Sequence, residues 1–258
     1  GKQVEAEGLP VSIHIMDVTF DQSVNGCFDA IRAGGGTIDV LVNNAGIERH
    51  GSIEELALND IRAIMETNYF GALRCIQQVA RAMRERRAGC IINVTSVAGR
   101  ISSSPLGAYA ASKFALEAAS EALAQEMKPF GVRVNIVEPG IIDTPMAHAI
   151  ENSPSSYYRQ GANLSALFRA SLRHPTPPST VADAIKDIIE SGTWKLRHPA
   201  GPDAAPFINW RAAMTDEEWT AFNSLDAVRY RERVRQDFGL ELETGESDRQ
   251  GRRPVAAD

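Results

Sequence analysis

The sequence predicts an α/β domain, a doubly wound parallel sheet of Rossmann-like type, and three observations point to it. The runs at 38–42 (IDVLV), 90–95 (CIINVT) and 132–139 (VRVNIVEP) are β-branched and largely apolar, the composition of strands buried on both faces. Between them lie segments of helical length with an amphipathic pattern. Each run is followed by small or turn-forming residues, at Asn43 to Gly46, at Ser96 and at Pro139-Gly140. Strands alternating with helices form right-handed βαβ units, and the carboxyl edge of such a sheet is where ligands bind.

Taken in order, the chain first alternates from Val11 and closes on Asp17, which predicts a strand ending in an acid. Residues 21–33 carry a helical pattern that Gly34, Gly35 and Gly36 stop. After the strand at 38–42, a long amphipathic helix is expected over 59–87, with Asn59 to cap it and Gly89 to end it. The alanine-rich segment holding Tyr109 should run helically to Met127, halted by Pro129 and Gly131. Residues 141–178 break the rhythm. They read as a loop-rich lid after a strand's carboxyl edge, with Tyr157, Tyr158, Leu164, Leu167, Phe168 and Leu172 scattered through it. A helix over 180–190, capped by Ser179 or Thr180 and closed by Gly192, leads to a last strand at 194–198. One domain over 1–214 is expected, followed by a charged surface helix at 215–238 and a polar, disordered tail over 241–258.

Composition narrows the function. At 258 residues and 43% hydrophobic, the chain can bury one sizeable core. A net charge of -6 leaves no basic stripe for phosphates, which argues against nucleic acid as a partner. No apolar run reaches the roughly 18 residues of a membrane span. Cys27, Cys75 and Cys90 form no CxxC pair and the five histidines show no HExxH spacing, so neither a disulfide framework nor a metal is indicated. A reducing, cytoplasmic compartment fits. The chain begins with Gly1, and any targeting segment upstream of it would be unseen.

The chemistry concentrates between Ser96 and Lys113. Tyr109 and Lys113 are four apart in a helical segment, so their side chains share a face. A phenol titrates near about pH 10, too high for proton transfer near neutrality, and a cation beside it is expected to bring that value down. Ser96 follows a buried strand and places a hydroxyl at the ligand-binding edge. A surface helix with a chance Tyr and Lys, and a strand-end cap, are the bland readings of these residues taken singly.

Together with NNAG at 43–46, Asn68 in METNYFGAL, Pro139-Gly140 and Thr144, these residues give a chain that resembles the short-chain dehydrogenase/reductase family over about residues 11–200. The resemblance implies alcohol–carbonyl interconversion with NAD or NADP. Tyr109 would then be the general acid/base, and Lys113 would lower its pKa and hold the nicotinamide ribose. Ser96 would bond the substrate oxygen, and Asn68 would hold a water linking the lysine to solvent. Asp17 and Val18 resemble the adenine-contacting pair, Asn44, Ala45 and Gly46 the turn beside the adenine ribose, and Thr144 the partner of the carboxamide, with Pro139 and Gly140 beside it. The tyrosine–lysine interval of four favours this over the enoyl-reductase branch. LRHPAGPDA at 196–204 is similar to the steroid and retinol dehydrogenase branch, which makes an apolar alcohol or carbonyl the expected small-molecule substrate. The family's helix-mediated interface implies a homodimer or tetramer.

One departure stands out: nothing in residues 1–16 matches the family's opening TGxxxGxG, whose amides take the pyrophosphate at a helix N-terminus. The chain as given is therefore expected to lack its first two strands and the phosphate cradle, which in the sheet order 3-2-1-4-5-6-7 lie between the strand ending at Asp17 and that ending at Val42. Two alternatives stay open: a binding or assembly module whose catalysis has lapsed, and a relative of the nucleotide-sugar epimerases, which share YxxxK but usually lack NNAG.

Overall fold

The computed structural model describes residues 10–151 and 156–243. Helix α1 (Asp21–Ala33) precedes strand β1 (Val40–Asn43), and helix α2 (Leu58–Met65) continues through a π-turn (Glu66–Phe70) into α3 (Gly71–Arg86). Strand β2 (Gly89–Val94), helix α4 (Gly107–Met127) and strand β3 (Val132–Pro139) follow. Then come α5 (Pro145–Glu151), α6 (Gln160–Leu172), α7 (Ser179–Ser191), β4 (Arg197–Ala200), α8 (Ala204–Ala212), α9 (Asp216–Asn223) and α10 (Ala227–Phe238).

The described strands form one parallel sheet in the order β1-β2-β3-β4. Its two central strands are almost wholly buried, as their apolar runs predict. Alternation along β2 splits the core between the faces. Ile91 packs with Val132 and Val134 against Phe28 of α1 and Cys75, Ile76, Val79 and Met83 of α3. Cys90, Ile92 and Val94 face the other way, with Val137, onto Ile188 and its neighbours on α7. A polar chain crosses the sheet: Asn43 Nδ2 donates to Asn93 Oδ1 (2.8 Å), and Asn93 Nδ2 donates to Ser120 Oγ on α4 (2.8 Å). The first asparagine of NNAG thus ties β1 to β2 within the sheet.

Several expectations are corrected. Residues 11–17 form no strand. No described strand lies beside them to take their backbone hydrogen bonds, and a lone strand has nothing to hold it extended. Val11, Ile13, Ile15 and Phe20 are exposed. Asn59 does not cap its helix, which starts one residue earlier after Ala57, and that helix ends at Arg87 in the left-handed conformation while Gly89 opens β2. Ser179 is the first residue of α7, preceded by Pro178 without a side-chain cap. The last strand lies at Arg197–Ala200. Residues 141–178 hold two helices, α5 and α6, whose Ile150 and Leu164 pack with Leu106.

The charged C-terminal segment is no simple surface helix. It is the pair α9 and α10, the first opened by a capping box between Thr215 and Glu218. Phe222, Tyr230 and Val234 are buried against Ala166 and Ala170 of α6, with Trp210, Trp219 and Phe238 around them. Residues 244–258 of the expected tail lie outside the described residues, as do 152–155 of the expected lid. Among the described residues, no helix is long and apolar enough to cross a membrane.

Candidate active site

The carboxyl ends of β1, β2 and β3 open onto a cavity of about 750 Å³. Asn44, Gly46, Ser96, Tyr109, Lys113, Pro139, Gly140 and Thr144 line it, eight of the residues singled out from the sequence. Each reaches the cavity through local structure. Ser96 lies two residues past β2, where its hydroxyl accepts from Ala98 N (3.1 Å) and donates to Pro139 O (3.4 Å), so it is pinned between two strand ends. Tyr109 and Lys113 sit one turn apart near the start of α4. Lys113 is 4% exposed; its ammonium donates to Val94 O (3.0 Å) and lies 5.6 Å from the Tyr109 ring centre.

The electrostatics correct one expectation. Burial pushes the Tyr109 phenol up to about 12, against the lowering effect of a hydrogen bond with Ser96, and the nearby Glu48 charge adds to the rise. Lys113 is not among the influences that lower the phenol, and burial lowers its own ammonium to about 8, with Glu117 opposing. Desolvation therefore outweighs the pairing that spacing alone suggested.

Asn68 stands behind the cavity wall, buried in the π-turn. Its side chain accepts from Ile47 N (2.8 Å) and donates to Ile47 O (2.9 Å) and Ser112 Oγ (3.0 Å). It thereby fixes the loop after β1 to α4. Gly46 belongs to this loop, and a Cβ there would stand 3.4 Å from Asn68 Oδ1 and 3.6 Å from Lys113 Nζ. Thr144 accepts from Ala147 N (3.3 Å) and starts α5. Gly140 leaves room for Asp203, whose carboxylate accepts from Ile141 N (2.8 Å); a Cβ at 140 would fall 2.1 Å from Asp203 Oδ1.

Ala45 is exposed and does not line the cavity. Asp17 and Val18 lie outside it as well. Asp17 accepts from Thr19 N (2.9 Å) and Thr19 Oγ1 (2.7 Å), which lowers its pKa, and so closes a local turn. Val18 packs against Gly71 at the start of α3.

The expected lid supplies Leu164, Leu167 and Phe168 from α6, whereas Trp210, Trp219, Phe222 and Tyr230 of the C-terminal helices are wall residues that the sequence reading did not single out. Trp219 and Phe222 are three apart on α9 and Tyr230 lies on α10, so no single periodic pattern marked them among the surrounding charges. Glu48, two residues past Gly46, is a buried carboxylate on the same wall.

The nicotinamide end of a dinucleotide fits this arrangement. The loop at Asn44–Gly46 carries no bulk where Gly46 meets Asn68 and Lys113, and the ammonium of Lys113 lies on the cavity wall. Among the described residues no glycine-rich turn opens a helix at the sheet's edge, so a pyrophosphate cradle is not part of what is described.

A family model described as short chain dehydrogenase matches residues 1–155. Bovine retinol dehydrogenase 8 is 34% identical over 219 residues, 81% of this chain and 70% of its own length. A crystal structure of a short-chain dehydrogenase from Streptomyces avermitilis superposes with a TM-score of 0.71 at 31% identity, covering 86% of this chain and 81% of that one. A gluconate 5-dehydrogenase from Burkholderia cenocepacia, solved with NADP and tartrate, gives a TM-score of 0.56 at 27% identity over 66% of this chain and 69% of its own. With Ser96, Tyr109 and Lys113 on one cavity at the edge of a parallel sheet, the chain belongs to the short-chain dehydrogenase family, near its retinol dehydrogenase-like branch.

Proposed function

We propose that this protein interconverts an apolar alcohol and its ketone or aldehyde by hydride transfer with NAD or NADP. One observation carries the reading: a hydroxyl, a phenol and an ammonium converge on a cavity whose far wall is apolar and aromatic. NAD(P), when bound, donates or accepts the hydride, and the NADP of the Burkholderia relative supports that cofactor class. Lys113 and Thr144 would hold its nicotinamide riboside, beside Pro139 and Gly140, and Asn44 and Gly46 would lie beside its adenine ribose.

The proton steps belong to the chain's own residues. Tyr109, held near 12, is a neutral phenol at physiological pH and therefore a proton donor to a substrate oxygen gaining negative charge. Ser96, positioned by Ala98 N, would turn its one proton from the long bond to Pro139 O (3.4 Å) to that oxygen as a second donor. Lys113, one turn from Tyr109 and with its own value near 8, can pass a proton on to the phenolate left behind. Asn68 orients the loop before Glu48 and, through Ser112, the helix that bears Tyr109. Leu164, Leu167, Phe168 and Trp219 give the substrate body its apolar surroundings.

Tyr109→Phe removes the proton donor while keeping the ring. Turnover of hydrophobic ketones with NAD(P)H should fall by a factor on the order of 10²–10⁴ with cofactor affinity little changed; equal turnover would refute the assignment. We also propose a homodimer in a reducing, cytoplasmic compartment. Phe70 and Phe114 are exposed on the π-turn and α4, and all three cysteines are unpaired. Light scattering at micromolar concentration should give twice the monomer mass.

A further inference from the structure

The cavity wall holds one feature that hydride transfer to a simple ketone does not use. Glu48 lies in the loop after β1, its side chain 3% exposed. Its Oε2 faces His50 Nδ1 at 3.2 Å, and among the described residues no donor reaches its Oε1. A buried acceptor left without a donor costs about 1–3 kcal/mol, so such an oxygen is a standing demand for a hydrogen-bond donor. Gln160 Oε1, on α6, is the other unpartnered buried side-chain atom on this wall, and it too is an acceptor. Glu48 lies at the reacting end of the cavity: it shares the wall with Tyr109 and Lys113 and follows by two residues Gly46, where a Cβ would stand 3.6 Å from Lys113 Nζ.

We propose that Glu48 Oε1 receives a second hydroxyl of the substrate, borne close to the carbon that exchanges hydride, so the preferred substrates are apolar vicinal or 1,3-diols and the matching hydroxyketones. The inference rests on the oxidoreductase reading and adds the substrate class. The donor is a neutral hydroxyl and not an ammonium for two reasons. His50 Nδ1 already faces the carboxylate at 3.2 Å, and Lys113 on the same wall repels a second cation. The apolar surroundings from α6, α9 and α10 take the remainder of the molecule. A site built to bond a hydroxyl rejects the analogue lacking it, because its own acceptor is then left bare.

The test compares decan-2-ol, decane-2,3-diol and decane-2,4-diol in two ways: kcat/KM for NAD(P)+-dependent oxidation, and calorimetric titration of each alcohol into the protein. In the wild type one diol should exceed decan-2-ol by a factor on the order of 10–100 in both measurements. In Glu48→Ala that ratio should fall to near one. Glu48→Gln, which keeps the size and one acceptor oxygen but not the charge, should retain an intermediate ratio and serves if the alanine variant does not fold. A wild type that treats the three alcohols alike, or binds none of them, overturns the inference, as does a folded variant that keeps the full preference. Turnover of decan-2-ol without diol preference fails this inference alone; calorimetric diol preference without turnover of any alcohol fails only the oxidoreductase reading.

Discussion

Lys113→Met should make the protein more stable and less active. Lys113 is 4% exposed, and burial lowers its ammonium from 10.5 to about 8. At 1.36 kcal/mol per pKa unit, holding that charge in the fold opposes folding by an amount on the order of 3 kcal/mol at neutral pH. Methionine fills a similar volume without the charge but forfeits the 3.0 Å hydrogen bond to Val94 O, a loss of about 1 kcal/mol. The net gain of roughly 1–2 kcal/mol corresponds to a Tm higher by about 2–8 °C in a chain of this size. The pH dependence separates this cause from better packing. Because the folded pKa lies below the unfolded one, the unfolded chain binds more protons between about 8 and 10.5, so wild-type stability climbs through that window. The Tm advantage of the variant should be full below pH 8 and shrink toward pH 10. Calorimetric melts at pH 7, 8.5 and 10, paired with turnover assays, check both halves. A variant that melts lower at pH 7, or whose advantage does not narrow by pH 10, would refute the reasoning.

Gly140→Ala should destabilise the protein by about 2 kcal/mol or more and reduce turnover. Its Cβ would fall 2.1 Å from Asp203 Oδ1 and drive that carboxylate from Ile141 N; an unchanged urea midpoint would count against this. Phe222→Ala, in the buried cluster that also walls the cavity, should cost about 3–5 kcal/mol. It should also raise KM for hydrophobic substrates more than for small ones, and a uniform effect on both would detach the C-terminal helices from the site.

The strands were legible because β2 and β3 are buried on both faces, so their apolar runs carry the architecture without help from distant residues. Tyr109 and Lys113 were legible through one helical interval, and Ser96 through its place after a strand. Other features depend on what lies across space. The alternation at 11–17 is that of a strand, yet strand formation requires a neighbour's backbone, and no described strand supplies it. The phenol's pKa turned on burial, which spacing does not report: a cation four residues away was visible, the desolvation of both groups was not. Arginines and acids dominate 215–238, while the few aromatic residues among them supply the buried face that meets α6. Glu48 had no local signal at all, since a single acid after a glycine turn reads as solvated until the fold closes over it.

The site's two halves also differ in how firmly the fold holds them. Ser96, Tyr109 and Lys113 are anchored to β2, α4 and the end of β3, elements whose inward residues are among the most buried in the protein. Asn44 and Gly46 follow β1, which pairs with β2 alone among the described strands and leaves Val42 37% exposed. Backbone groups along that free edge have no described partner strand, and the apolar side chains at 11–16 and 20 lie exposed. What secures the loop after β1 is therefore a small set of polar ties, Asn43 to Asn93 and Asn68 to Ile47. Both asparagines are reached from the interior, through Ser120 and Ser112 of α4. The helix that carries the proton-transfer residues thus also positions the loop proposed to meet the cofactor. Disturbance at the β1 edge should reach cofactor affinity before it reaches the geometry of proton transfer.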